Sequence, residues 1–385
     1  CATSTFNSQP ERFASVYVLG KDELKPKWPF SIFNKVPDSG VLNVTQQSLF
    51  ADYEGNSVKK LVQSATRYFF PYGFRPKVNL SDRFCKWIEE IRPDYIYTSV
   101  SDYAFAKLVL MLMDKYLAIK FVIHLYDDLT LPSYKILYGG YYQKLCDNRL
   151  KQIIKSSYRC LAISDYMAKN FTKRYGRAFE WLPNPIKILK EDTASGKDKG
   201  NNVVFMGKIL MHNYEAMVNM AKAIEKINNN RDIKIVFDIY STYGYFDPVT
   251  MLNKYPCCRF HSWVSHDEVM DILRNAGILY LPITANKETQ KFTKFSMSTK
   301  VPEYMSSKTP IIYCGPKDIA MTDLLESTNT AYIINGSSVV EIKATLLEVL
   351  NNHEVVAETC QRAFNFVSAY MSAEKVNNKL QNIFD

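Results

Sequence analysis

The sequence predicts an α/β protein built as two Rossmann-like lobes, each a parallel sheet with helices on both faces. Three observations carry that expectation. The chain has 385 residues, more than one ordinary core organises. Strand-like and helix-like segments alternate from residue 80 to 176 and again from 203 to 350, the pattern of a parallel sheet covered on both sides. Between the two series lies "LKEDTASGKDKGNN" (189–202), polar, Gly-containing and aperiodic, which reads as a linker. The expected boundaries are an N-terminal lobe over 1–186, a C-terminal lobe over 187–365 and a terminal helix over 366–385 crossing back to the first lobe.

"CATSTFN" (1–7) reads like the end of a strand entering a loop, and Cys1 is no initiator, so the start of the first lobe is expected to be missing. "LSDRFCKWIEEI" (80–91) spaces its apolar residues for a helix, and "RPDYIYTSV" (92–100) is a strand announced by a proline. "DYAFAKLVLMLMDKY" (102–116) is a helix and "AIKFVIHLYDD" (118–128) a buried strand ending in polar residues. A helix at 149–158, a strand "RCLAIS" (159–164) and a helix at 165–175 closed by Gly176 complete the first series. The second series runs "NVVFMG", "NYEAMVNMAKAIEKI", "IKIVFDIY", "HDEVMDILRNA" and "GILYLPI", strand and helix in turn. "STKVPEYMSSK" (298–308) follows as a helix, then "TPIIYCG", "DLLES", "TAYIIN" and "VVEIKATLLEVLNN". The last stretch, "CQRAFNFVSAYMSAEKVNNKLQNIF" (360–384), reads as one long helix.

Composition excludes several classes. Hydrophobic content of 47% with 23% charge describes a globular chain. No apolar run reaches the roughly 20 residues of a membrane span. The eight cysteines form no CxxC pair, which argues for reduced thiols and a cytoplasmic setting. The five histidines make no zinc-like cluster with them, so no structural metal is expected. A net charge of +9 points to an anionic partner. No zinc finger, RNA-binding signature or concentrated basic helix appears, so nucleic acid is not that partner. Residues 59–77 and 133–159 mix cations with aromatics. That mixture suits either aromatic packing beneath solvated lysines or peripheral contact with a membrane, here the inner face of the cell membrane.

Ligands of open parallel sheets bind beyond the carboxyl ends of the strands, and three such ends carry suggestive residues. Gly207 allows a sharp turn after "VVFM", and Lys208 beside it can reach a phosphate. After "RFH", the backbone of Ser262, Trp263 and Val264 can frame a flat base ahead of a helix capped by Ser265. In "STKVPEYM", Ser298 or Thr299 caps a helix whose first turn tolerates Pro302. Its free N–H groups and Lys300 suit a diphosphate, and Glu303, on the same face, can accept from a ribose diol. Each has a plain alternative: a solvated lysine, a capped turn and a surface Lys–Glu pair. In the first lobe, His124, Asp127 and Asp128 end a strand as "H-x-x-D-D", either a structural histidine with loop acids or a functional cluster.

These residues resemble the retaining GT-B glycosyltransferases, most like glycosyltransferase family 4, over nearly the whole chain and most strongly from 203 to 316. "STKVPEYMSSKTPIIYCGP" is similar to that family's lysine–glutamate segment and following strand, and "VVFMGKI" to its strand end. "FHSWVSHDEVMDILRNAGILYLPI" is similar to its base-binding turn, and "RPDYIY", "IHLYDD", "LAISDYMAKNFTKRYG" and "WLPNPI" to its first-lobe landmarks. The resemblance implies two lobes facing across a cleft, a nucleotide-diphosphate sugar on the second and a glycan or polyprenyl-linked acceptor on the first. It implies retention of configuration, no obligatory metal and no other cofactor. Carried over, Lys208 and Lys300 hold the diphosphate, Glu303 the ribose and Ser262–Val264 the base. His124 and Asp127 meet the acceptor or the donor sugar. Two departures stand out: Phe295 replaces the first carboxylate of the family's glutamate pair, and Asn213 replaces a second cation. They keep two further readings open, a degenerate scaffold or partner subunit and a nucleotide-sugar epimerase. The epimerase would need a carboxylate-rich site facing the hexose.

Overall fold

The computed structural model describes residues 2–3, 13–25, 36–41, 76–100, 102–130, 139–188, 200–210, 212–241, 251–262 and 264–385. The chain divides into two compact units, Cys1–Leu161 with Thr172–Phe179, and Ala162–Phe171 with Glu180–Asp385. Linker residues 189–199 and basic-aromatic residues 59–75 lie outside the described residues.

The first unit opens with short strands. β1 (Ala2–Thr3) pairs in parallel with β2 (Tyr17–Val18), which pairs antiparallel with β4 (Gly40–Val41). β3 (Leu24–Lys25) pairs with β5 (Lys77–Val78). Helix α1 (Asp82–Ile91) starts where Ser81 accepts from the Phe84 N–H and ends at Arg92, whose φ of 50° turns the chain. The fully buried Glu23 ties these pieces together, accepting from Tyr17, Gly20 N–H, Ser39 and Ser81. Such a carboxylate is tolerable in a core only because its oxygens are satisfied. Next come β6 (Tyr95–Thr98), α2 (Tyr103–Lys115) capped by Asp102, and β7 (Lys120–Leu125), which pairs in parallel with β6. Helix α3 (Gly139–Ser156) buries Cys146, Leu150, Ile153 and Ile154 at helical spacing. β8 (Arg159–Ala162) lies beside β7 in the sheet and leads into α4 (Asp165–Tyr175).

After β9 (Glu180–Trp181), the second unit builds a six-stranded sheet. Its strands are β10 (Asn202–Met206), β11 (Val236–Tyr240), β12 (Cys258–His261), β13 (Ile278–Pro282), β14 (Ile311–Gly315) and β15 (Tyr332–Asn335). The order is β12-β11-β10-β13-β14-β15 with every pair parallel. Alternate residues of β10 feed the two faces: Val203 and Phe205 one core, Val204 and Met206 the other. Helices α5 (Tyr214–Asn228) and α10 (Val339–Asn351) cover the first face. On the other lie α6 (His266–Asn275), α8 (Lys300–Ser306), α9 (Ala320–Thr328) and α11 (His353–Tyr370). A short helix, α7 (Lys287–Thr293), precedes α8 where Asn286 accepts from the Thr289 N–H. That element escaped the sequence reading because seven residues give too little periodicity.

The terminal stretch differs from the single helix expected. α11 ends at Tyr370 and α12 (Ala373–Phe384) begins after two intervening residues. At the break, Ile186 N–H donates to Met371 O and Ala373 N–H to Ile186 O, both at 2.8–2.9 Å. Backbone groups freed by the break are satisfied there, so the interruption costs little.

Candidate functional site

Strand pairing explains where the candidate site opens. β10 pairs with β11 to its last residue, Met206↔Tyr240, whereas its pairing with β13 stops at Val204↔Leu279. The two strands part at the point where the strand order reverses, the place such sheets bind ligands. Tyr304 of α8, 1% exposed, fills the gap and accepts from the Met206 N–H at 3.2 Å. That bond fixes α8 against the end of β10, and with it Lys300.

Gly207 follows with φ 139°, in a region L side chains rarely adopt, and donates its N–H to Tyr240 O at 2.8 Å. A Cβ at this position would fall 2.2 Å from Lys300 Nζ and 2.3 Å from its Cε. Glycine is therefore what admits the lysine. Lys300 Nζ stands 4.6 Å from the centre of the Phe205 ring, a cation–π contact. Burial pushes the ammonium down to about 8, against an opposing pull from Glu303 one turn on. A cation held this far from water favours an arriving anion, because the desolvation cost is already met by the fold.

The loop after Gly207 is stitched by Asn213. Its Oδ1 accepts from the Leu210 N–H at 2.8 Å and its Nδ2 donates to Lys208 O at 3.1 Å. Asn213 is 4% exposed, so it shapes the loop and does not present its amide to a ligand. Lys208 is exposed beside the turn. His212 is half-buried; the Thr284 N–H beyond β13 donates to its carbonyl at 2.6 Å. Burial, then the charge of Lys300, lower its pKa. Nothing in the sequence, where it stands as a single histidine in the loop after Gly207, marks it for a role.

At α8 the structure refines the expected anion site. Thr299 is already helical and Ser298 accepts from the Lys300 N–H at 3.3 Å, while Val301 N–H donates to Ser298 O at 3.2 Å. The first N–H groups are thus used locally, and α8 is only seven residues long. The Lys300 side chain, not the helix terminus, carries the positive charge here.

Phe295, where a carboxylate was expected, is 9% exposed and packs on Phe171 and Tyr166, ring centres 5.0 and 5.9 Å away. It is an apolar anchor against α4. At the end of β12, Ser262 is exposed and Val264 half-buried, while Trp263 lies outside the described residues. Ser265 donates its N–H and hydroxyl to Glu268 at 2.9 and 2.6 Å, fixing the turn as expected of a capping residue. Behind it, Asp238 bonds His261 Nε2 at 2.7 Å and the Asn202 amide at 2.6 Å. His261 also stacks on Tyr240 at 4.3 Å. No local motif announces this network, because its members meet only across paired strands.

In the first unit the "H-x-x-D-D" residues part company. His124 is buried, bonded at Nδ1 to the Tyr97 hydroxyl at 2.5 Å and lying 4.3 Å from the Tyr126 ring. Asp127 is exposed. Asp128 is buried and structural, accepting from Thr130 and, at 2.8 Å, from Arg174, which also bonds Asp147. Arg174→Ala should destabilise this unit by about 3 kcal/mol, since it strands a buried carboxylate; urea unfolding measures it. A cavity of about 260 Å³ is lined by residues that include Phe84, Trp87, Ile91, Leu108, Leu112 and Tyr97. Among the described residues no group of three His, Cys, Asp or Glu is placed to hold a metal ion, and no helix is long and apolar enough to cross a membrane.

Comparison with known proteins bears on the family and the fold. Residues 200–352 match the family described as Glycosyl transferases group 1. No curated protein matches the chain in sequence. Among solved structures, sucrose-phosphate synthase (tll1590) from Thermosynechococcus elongatus is similar with TM-score 0.61 and 10% identity over 79% of this chain and 76% of that one. Alr3699/HepE from Anabaena, in complex with UDP-glucose, gives 0.57 and 12% over 86% and 89%. TarM gives 0.58 and 12% over 79% of this chain, which spans 58% of TarM's length. At such identities the likeness concerns the fold, which is that of the GT-B glycosyltransferases.

Proposed function

We propose that this chain transfers a sugar from a nucleotide-diphosphate donor to a glycan or lipid-linked acceptor with retention of anomeric configuration, in the synthesis of a bacterial surface polysaccharide. The observation that carries the reading is the desolvated Lys300 ammonium seated against Gly207 where β10 and β13 part. Similarity of residues 200–352 to Glycosyl transferases group 1 supports it, as does the fold shared with HepE, which is seen with UDP-glucose.

In this reading Lys208 and Lys300 hold the diphosphate, Glu303 accepts from the ribose, and the Ser262–Val264 turn frames the base. The bond from the sugar's anomeric carbon to the phosphate oxygen breaks, and the acceptor oxygen bonds the same face of that carbon. The acceptor proton passes to the departing phosphate oxygen. Lysine charge fixed beside that oxygen acts where negative charge develops, so it stabilises the transition state more than the bound donor. His124 and Asp127 are assigned to acceptor contact in the first unit. The apolar cavity that shares Tyr97 with His124 suits an acceptor carrying a hydrocarbon chain. The chain is assigned to the cytoplasm, working at the inner face of the cell membrane.

Titration calorimetry with UDP-, GDP- and ADP-sugars, followed by a donor-hydrolysis assay, tests the proposal. One donor should bind and release free sugar slowly; binding by none contradicts it. Glu303→Gln should weaken that donor about tenfold but leave inorganic pyrophosphate binding unchanged. Equal loss for both would remove the ribose assignment. Buried Phe295 favours one second reading, a scaffold that binds the nucleotide without transferring it. Binding without hydrolysis or transfer would select it.

A further inference from the structure

We propose that the second unit carries a separate saccharide site, a cavity that takes one neutral sugar ring of a glycan. Only the origin of that ring, a glycan chain, rests on the transfer reading given above; the binding chemistry is the cavity's own. At about 290 Å³ the cavity stands at the lower end of the roughly 300–1,000 Å³ usual for small-ligand pockets. Its wall comes from the start of α4, from Trp181 of β9, from α9 and from the end of α11, all within the second unit. Among the described residues, its lining includes none of Gly207, Lys208, Lys300 or Glu303. Aromatic rings make one part of the wall. Trp181 and Phe366 stack with centres 6.3 Å apart and planes 20° apart, and Tyr370 packs on Phe366 at 5.0 Å. Trp181 is oriented by its indole N–H, donated to Ile163 O at 3.2 Å, and Tyr370 is 55% exposed.

Carboxylates share the wall with these rings. Asp165 and Asp323 both line the cavity, and Lys169 pairs with Asp165 at 2.5 Å. This combination selects among ligands. An anion would meet two carboxylates. A cation would find its places taken, since Lys169 holds Asp165 and Lys379 stands over the Trp181 ring, 5.9 Å from its centre. A neutral ligand with an apolar face and a hydroxylated edge meets neither objection, and that is the chemistry of a pyranose. Its C–H face can lie on an aromatic ring, which removes apolar surface of both from water. Its hydroxyls can donate to the carboxylates and accept from the Lys169 ammonium.

The experiment is saturation-transfer NMR with the methyl glycosides of glucose, galactose, mannose and N-acetylglucosamine, irradiating the aromatic protons of the protein. At least one glycoside should receive saturation, most strongly at its ring C–H protons. Tyr370→Ala and Asp323→Asn should each cut that signal by about fivefold or more, the loss of one ring contact or one hydrogen bond. Both side chains are exposed, so the fold and the affinity for UDP-glucose, read by calorimetry, should be unchanged. Lys300→Met should leave the glycoside signal intact. No transfer to any glycoside, or transfer that both wall variants leave untouched, overturns the proposal. Binding of tetramethylammonium but of no glycoside overturns it too, and so does a signal lost in Lys300→Met, which would put the sugar in the donor pocket. Wall-dependent glycoside binding in a chain that binds no UDP-glucose would sink the donor reading and leave this site standing.

Discussion

Lys300→Met should reduce donor affinity by roughly 30- to 1000-fold, the loss of about 2–4 kcal/mol expected when a desolvated charge partner is removed. The fold should not suffer. An ammonium half-buried over Phe205 is a burden on the native state that methionine, of similar length and apolar, does not carry. The pH dependence makes the point separable. Lys300 is lowered from 10.5 to about 8, so between those values the unfolded chain binds the proton and the native chain does not. Stability therefore gains as pH rises from about 8 to 10.5, and the penalty is fully present below that window. Thermal unfolding across this range should show that gain in the unaltered chain and lose it in Lys300→Met. A variant that binds donor normally, or one that unfolds, would contradict the assignment.

Gly207→Ala should be the second large effect, and it should damage both properties. The added Cβ meets Lys300 at 2.2–2.3 Å and must also adopt φ 139°. Strain of that kind costs about 1–3 kcal/mol, seen in denaturant unfolding. Donor affinity should fall at least tenfold as the ammonium is displaced, seen in calorimetry. Combining Gly207→Ala with Lys300→Ala removes the clash. The double variant should recover part of the stability and none of the affinity, a non-additive pattern expected of side chains in contact.

Much of this architecture was legible because parallel strands buried on both faces announce themselves as short apolar runs between amphipathic helices. β10 through β15 are of that kind, and Gly207, Lys208, Lys300 and Glu303 stood at recognisable strand and helix ends. What stayed hidden depends on register. Tyr304 reads as one apolar helix residue until the early end of the β10–β13 pairing gives its hydroxyl a partner. Asp238 and His261 are 23 residues apart and join only because β11 pairs with β12. "H-x-x-D-D" depends on distant partners in the same way. Three residues within five positions lie in three environments, and Asp128 is bound by Arg174, 46 residues on. Asn213 and Phe295, noted as departures, have local reasons: one closes the loop after Gly207, the other packs on α4.

The most direct test is a crystal structure of the chain with a bound nucleotide sugar. The account predicts a diphosphate at the parting of β10 and β13, one phosphate oxygen within hydrogen-bonding distance of Lys300 Nζ and another approached by Lys208, with the ribose at Glu303. A nucleotide seated elsewhere, with Lys300 still enclosed against Phe205 and Gly207 and touching no phosphate, would contradict it.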